Sequence, residues 1–201
     1  MKSKPNFSIE STIKGQVVGI DEAGRGPLAG PVYAASVILD KKNIPFGIND
    51  SKSLNLKSRE RLYDKIIKSS FYGVSMATVN EIDRLNILQA TLLAMRRSYL
   101  SLAWKLSKLP SCALIDGNQA PKLPCKSITV IKGDTKSISI AAASIIAKVS
   151  RDRHIKKLHL YYPNYDWINN FGYSSIKHRL GLTILGPSPH HRLTFKPLKR
   201  K

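Results

Sequence analysis

Residues 16–40 read QVVGIDEAGRGPLAGPVYAASVILD, two apolar runs on either side of a stretch that can hold no regular structure. Residues 16–20 are short, β-branched and stop at Asp21; residues 32–39 stop at Asp40, and both have strand composition. Between them GRGPLAGP, with three glycines and two prolines, requires a tight loop. Two strands that each end on an acid, joined by a glycine-rich loop, set the frame for the rest of the chain.

Outward from this unit, strand and helix patterns alternate. Residues 57–69 place Leu62, Ile66 and Ile67 at helical spacing among charges, the pattern of an amphipathic surface helix. Residues 71–79 return to strand composition. Over 81–102 the spacing of Ile82, Leu85, Leu88, Leu92, Leu93 and Met95 predicts one long helix, capped by Asn80 with Asp83 as its capping-box partner. Residues 112–115 form another apolar run that stops at an acid, Asp116, and 127–131 a further strand. Gly133 and Asp134 then lead into ISIAAASIIAKVSRDRHIKKL (138–158). Its small residues suit a helix packed tightly at its start, and its basic pattern from Lys148 onward predicts a solvent-facing second half, ended by Pro163 at the latest. A last helix is expected over 174–185, followed by a proline-broken basic tail. The pattern predicts an α/β fold with a mixed central sheet flanked by helices, and a binding crevice at the carboxyl ends of its strands. Residues 1–15 read as an extension and 16–201 as one catalytic domain with a short helical C-terminal segment.

The chain of 201 residues fits one domain. Lys and Arg number 33 against 13 Asp and Glu, a formal net charge of +20, which predicts attraction to polyanions, nucleic acid first among them. Cys112 and Cys125 form no CxxC pair, so neither a zinc site nor a disulfide framework is indicated, and a reducing cytoplasm fits. The N-terminus lacks the apolar core of a secretory signal. The apolar stretches at 31–39 and 138–149 fall short of the ~18–20 residues of a membrane span, so no membrane association is expected.

In so basic a chain the acids are informative. Glu60 and Asp64 fall on a charged helix face, Glu81 and Asp83 in a helix first turn, Asp40 and Asp166 in turns. Asp21, Glu22 and Asp116 instead terminate apolar strands, where clustered carboxylates are costly unless a cation compensates them. Oxygen ligands favour Mg²⁺ or Mn²⁺ over zinc, and Mg²⁺ keeps room for substrate phosphates. Asp134 fits this set and fits a helix start equally well. Gly24, Arg25 and Gly26 offer backbone N–H groups and a cation to a phosphate, or form a plain turn. His190 and His191 read as structural or phosphate-facing. Acids for a metal within a basic surface indicate a metal-dependent nuclease; a non-catalytic nucleic-acid binder and a nuclease blind to ribose are the competing classes.

The chain resembles the ribonuclease HII family, the bacterial type 2 ribonucleases H. The resemblance lies in GIDEAGRGPLAGPV (19–32), NDSKSL (49–54), EIDRLNILQATLLAM (81–95), ALIDGN (113–118), KGDTKSISIAAASIIAKVSRDR (132–153), GYSSIKH (172–178) and GPSPHHRLTF (186–195). It implies a ribonuclease H-like fold and cleavage of the RNA strand of RNA·DNA hybrids. It also implies incision 5′ to a ribonucleotide embedded in duplex DNA, leaving 3′-hydroxyl and 5′-phosphate ends. The family's four acids map onto Asp21, Glu22, Asp116 and Asp134, a two-metal site for Mn²⁺ or Mg²⁺. Its 2′-hydroxyl-reading loop maps onto Gly24, Arg25 and Gly26, its junction-sensing tyrosine onto Tyr173, and a phosphate-contacting lysine onto Lys52. A monomer acting on nucleic acid is implied. Ser175 stands where many members carry threonine and keeps the hydroxyl. DSKSL lacks one cation of the DSKKL-type motif. The fifteen residues before the first strand leave no room for the N-terminal domain of the related type III enzymes.

Overall fold

The structure, a computed structural model, describes residues 4–198; the last three residues of the basic tail predicted at 196–201 lie outside them. Its core is a five-stranded sheet in the order β3-β2-β1-β4-β5: β1 (Val17–Ala23), β2 (Val32–Leu39), β3 (Ser70–Ala77), β4 (Cys112–Asp116) and β5 (Lys126–Val130). β1, β2 and β3 pair antiparallel, and β1, β4 and β5 parallel, so the sheet is mixed as the alternating pattern predicts. The bounds of β2 are those read from its apolar run. β1 is longer than its apolar run: Glu22 and Ala23 still pair with Ala34 and Tyr33, so Asp21 and Glu22 lie within the strand. The antiparallel partner runs on past the point where apolar composition stops.

Helices cover both faces. Seven are present among the described residues: α1 (Ser8–Ser11), α2 (Leu56–Ser69), α3 (Val79–Leu85), α4 (Ile87–Ala103), α5 (Ile138–Tyr161), α6 (Trp167–Asn170) and α7 (Ile176–Leu185). α4 packs on one face against Val18, Ile20, Ala34 and Ile115 through Ala94, Tyr99 and Leu102. α2 and α5 cover the other through Leu62, Ile66 and Ala141, Ala142, Ile145 and Ile146 against Ala35 and Val37. Gly19 makes the second contact possible, because a Cβ there would lie 2.2 Å from the Ser139 carbonyl carbon of α5. A third cluster of Ala29, Ile155, Tyr165 and Trp167 joins the glycine-rich loop to the C-terminal segment.

The helix expected over 81–102 is two helices. Thr78, not Asn80, caps the first: its hydroxyl accepts from Glu81 N–H at 3.2 Å while Glu81 accepts from Thr78 N–H at 2.8 Å, a complete capping box two residues earlier than expected. Asn86, at φ 70°, breaks the helix, and its side chain accepts from Leu88 and Gln89 N–H to cap α4. Asp83 instead accepts from the Leu193 and Thr194 backbone and the Thr194 hydroxyl, holding the C-terminal segment. The last helix starts at Ile176, not 174, with the Ser175 hydroxyl accepting from His178 N–H at its N-cap. Glu10 is buried and accepts from Ser137 Oγ (2.6 Å) and Ser139 N–H (3.0 Å), seating residues near the chain start on the first turn of α5. No helix among the described residues is long and apolar enough to cross a membrane.

Candidate active site

Parallel pairing of β1 with β4 sets Ile20 opposite Ile115, which makes Asp21 and Asp116 the next residues on neighbouring strands. One carboxylate oxygen from each of Asp21, Glu22 and Asp116 lies within 4.8 Å of the others. Asp21 is buried, and its carboxylate accepts the Glu22 N–H at 2.6 Å. Asp116 accepts the Gly133 N–H at 2.6 Å, which ties the cluster to the turn Gly133–Thr135 carrying Asp134. Three of the four predicted acids therefore meet, and buried Asp134 stands beside them without entering the tight group.

The electrostatics is that of a site short of positive charge. Burial, then repulsion from Glu22 and Asp116, holds the Asp21 carboxyl well above the usual range. Burial raises Glu22 as well, against the pull of Arg25, and Asp134 is raised by burial, Asp116 and Asp50. Two cations partly offset this. Arg25 reaches Glu22 at 3.4 Å, and Lys52, although burial opposes its charge, is raised by Asp134, Asp50, Asp21 and Asp116. Asp50 ends no apolar strand and yet belongs to this neighbourhood. It accepts the Lys52 N–H at 2.9 Å and so shapes the turn that aims Lys52 at the cluster; the signal was its place in NDSK, two residues before the lysine. A mutually repelling set of oxygen donors, buried at Asp21 and Asp134 and partly exposed at Glu22 and Asp116, fits a hard divalent cation.

Glu22 also lines a cleft of about 310 Å³. Its other walls are Gly24, Arg25 and Gly26, Lys52 with Ser51, Lys148 and Arg151 from α5, and Tyr173. Tyr173 is half exposed, and its ring comes within 3.6 Å of where a Cβ on Gly26 would sit. Gly24 has φ +98°, and a Cβ there would fall 1.9 Å from Arg151 Nε, so the position admits only glycine. The structure thus brings all the predicted substrate-contacting residues (Gly24, Arg25, Gly26, Lys52 and Tyr173) to one cleft beside the acids. Arg151 corrects the expectation of a solvent-facing second half of α5: it is buried, as is its neighbour Asp152, which pairs with Lys148 (2.7 Å) and Arg59 (3.5 Å). His191 is buried and hydrogen-bonded to His178, a structural role.

The sequence pattern of the family described as Ribonuclease HII matches residues 18–198. The ribonuclease HII of Zymomonas mobilis is 47% identical over 199 residues, which cover 99% of this chain and 93% of that protein. That of Magnetococcus marinus is 52% identical over 183 residues, 90% of this chain and 85% of the other. Among solved structures, the ribonuclease H2 of Pyrococcus horikoshii matches with a TM-score of 0.74 at 30% identity, over 91% of this chain and 95% of that one.

Proposed function

Because the chain belongs to the ribonuclease HII family of type 2 ribonuclease H endonucleases, with the ribonuclease H-like fold, we propose that it hydrolyses the RNA strand of RNA·DNA hybrids and also incises duplex DNA 5′ to an embedded ribonucleotide. The observation that carries this reading is a juxtaposition through Glu22, which belongs to the group of three carboxylates within 4.8 Å of one another and also lines the cleft that holds the glycine loop and the half-exposed tyrosine. The group suits phosphodiester hydrolysis; the cleft suits a test for ribose.

Asp21, Glu22 and Asp116, with Asp134 beside them, would hold Mg²⁺ or Mn²⁺. The chemistry such ions supply when bound is activation of the attacking water and stabilisation of the leaving oxygen in an in-line displacement. The protein groups do the rest. Lys52 draws the scissile phosphate toward the acids. The backbone N–H groups of the 24–26 loop meet the 2′-hydroxyl, the one group that separates RNA from DNA at a given nucleotide. Arg25, held only loosely by Glu22, exchanges that partner for a phosphate, and the Tyr173 ring packs on the sugar. Cleavage leaves a 3′-hydroxyl and a 5′-phosphate.

The test is cleavage of a labelled DNA duplex carrying one ribonucleotide, beside an all-DNA duplex and an RNA·DNA hybrid, in Mg²⁺, Mn²⁺ or EDTA. Metal-dependent incision 5′ to the ribonucleotide and of the hybrid, with the all-DNA duplex intact, is expected. Cutting of the all-DNA duplex would make the chain a nuclease blind to ribose, and binding without any cut would leave a nucleic-acid binder on a nuclease fold.

A further inference from the structure

Two guanidinium groups, one in the wall of the cleft and one bound to its glycine loop, are almost wholly buried, Arg151 at 1% and Arg192 at 0% exposure, and among the described residues neither has a carboxylate within 4 Å. A buried cation without a counter-charge is costly, so its partners must be sought among dipoles. Their hydrogen-bond acceptors are all backbone carbonyls, and the Arg192 guanidinium also lies 5.0 Å from the Phe195 ring centre. Arg192 donates to Gly24 O (2.6 Å), Arg25 O (2.9 Å) and, twice, Gly30 O (2.7 and 2.9 Å). Arg151 donates to Ala29 O (3.1 Å), Pro31 O (3.1 Å) and Phe171 O (3.0 Å). Burial lowers Arg192 to about 9 and Arg151 to about 10, which leaves both charged at neutral pH.

The consequence follows from peptide geometry. In a trans peptide the C=O and the next N–H point in opposite directions. Binding Gly24 O and Arg25 O from behind therefore turns the N–H groups of Arg25 and Gly26 away from Arg192, and neither has a hydrogen-bond partner among the described residues. They are free donors on the loop. Arg151 adds the second coordinate: it holds both the loop, at Ala29 and Pro31, and the segment that carries Tyr173, at Phe171, while Leu28 N–H donates to Gly172 O at 2.8 Å. A neutral histidine pair finishes the job. Ser188 N–H donates to His191 Nδ1, so the His191 proton is on Nε2 and is given to His178 Nε2; Trp167 Nε1–H donates to the same atom. The His178 proton must then be on Nδ1, where it is donated to Tyr173 O at 2.8 Å.

We infer that Arg192 and Arg151 are positioning residues for ribonucleotide recognition: Arg192 aims the Arg25 and Gly26 N–H groups, and Arg151 fixes the gap between that loop and Tyr173. The inference rests on the reading of this cleft as a ribonucleotide site.

The experiment uses the full chain, Arg192→Lys and Arg151→Lys. A lysine keeps the positive charge, but its one ammonium cannot span the carbonyls that the planar guanidinium joins. Cooperative thermal unfolding and amide hydrogen exchange are measured first, then kcat and KM on duplex DNA with one ribonucleotide and on an RNA·DNA hybrid. Each variant is expected to unfold cooperatively, with faster exchange confined to 24–31 and 171–173. On the single-ribonucleotide duplex kcat should fall about 10²-fold, the scale of an ångström-level misplacement, with KM changed far less. The hybrid, which offers many 2′-hydroxyls, should lose much less, and the Mn²⁺ concentration giving half-maximal thermal stabilisation should not move.

Equal losses on both substrates, or unchanged kinetics despite faster exchange, would overturn the inference. So would failure of both variants to fold, which would make the arginines supports of the fold alone. Failure of the wild type to cut the single-ribonucleotide duplex is a different result: it removes the ribonucleotide reading itself.

Discussion

The two sides of the cleft are built on opposite electrostatic terms. On one side, Asp21, Glu22 and Asp116 crowd their carboxylates within 4.8 Å, and burial and mutual repulsion raise Asp21 and Glu22. On the other, the loop carbonyls of Gly24, Arg25, Ala29, Gly30 and Pro31 are all taken up by two buried guanidiniums. The first side is short of cation and calls for a ligand; the second is satisfied from within and serves as a template. Substitution should therefore separate the sides: relieving the acids stabilises the protein and destroys activity, whereas loosening the template costs stability and selectivity together.

The largest expected effect is on the acids. Asp21→Asn should lower cleavage by about 10⁴-fold, the scale of losing a member of a catalytic set. In EDTA the same variant should melt higher than wild type, by about 2–4 °C if it relieves about 1 kcal/mol of repulsion. A lower Tm would mean that the Asp21 bond to Glu22 N–H outweighs the repulsion, and would break the contrast. The metal effect comes next. Mn²⁺ at about 100 times its Kd should stabilise the wild type by about 2.7 kcal/mol. Because Asp21, Glu22 and Asp134 have raised carboxyls, the metal-free folded state holds protons that the unfolded chain has released. Its stability should fall as pH rises from the unfolded carboxylate range, near ~4, through the folded values. Metal binding must displace those protons, so the Mn²⁺ stabilisation should grow with pH. Thermal unfolding across pH, with and without Mn²⁺, checks both signs, and Asp21→Asn should flatten both.

A change where the sides share their support should be smaller and lack that opposition. Gly19→Ala would press a methyl on the Ser139 backbone of α5, the helix that carries Arg151 and follows Asp134. About 1–3 kcal/mol of destabilisation is expected, measured by denaturant unfolding, with loss of function following stability.

The acids were more legible in the sequence than the template. Asp21, Glu22 and Asp116 stand out because an acid ending an apolar run is unusual, and β2 and the first half of α5 are plain because composition and period agree there. The break at Asn86 was hidden, since an asparagine at positive φ leaves the helical spacing on both sides intact. Thr78 is hidden as a cap because strand composition runs through it to Val79, the first residue of the helix. Arg151 and Arg192 were lost among 33 basic residues, where nothing in the local pattern tells a guanidinium bound to carbonyls from one in solvent. Glu10 shows the same limit, because its partners, Ser137 and Ser139, are more than a hundred residues away.

Lys52 stands between the two sides and gives the smallest effect. The charge on Lys52 is favoured by Asp134, Asp50, Asp21 and Asp116, yet the residue lines the cleft with residues 24–26 and Tyr173, so the proposed phosphate contact is at the same time a weak counter-ion to the acids. Lys52→Gln removes both roles. The loss of one phosphate contact should make the salt dependence of all-DNA duplex binding, measured in EDTA so that nothing is cut, shallower by about 0.9 in d log K/d log[salt]. Removing the counter-ion should strengthen Mn²⁺ binding, because the lysine no longer competes with the ion for the carboxylates. A shallower slope with tighter Mn²⁺ would place Lys52 on both sides of the cleft, whereas a shallower slope with unchanged Mn²⁺ affinity would assign it to the substrate alone.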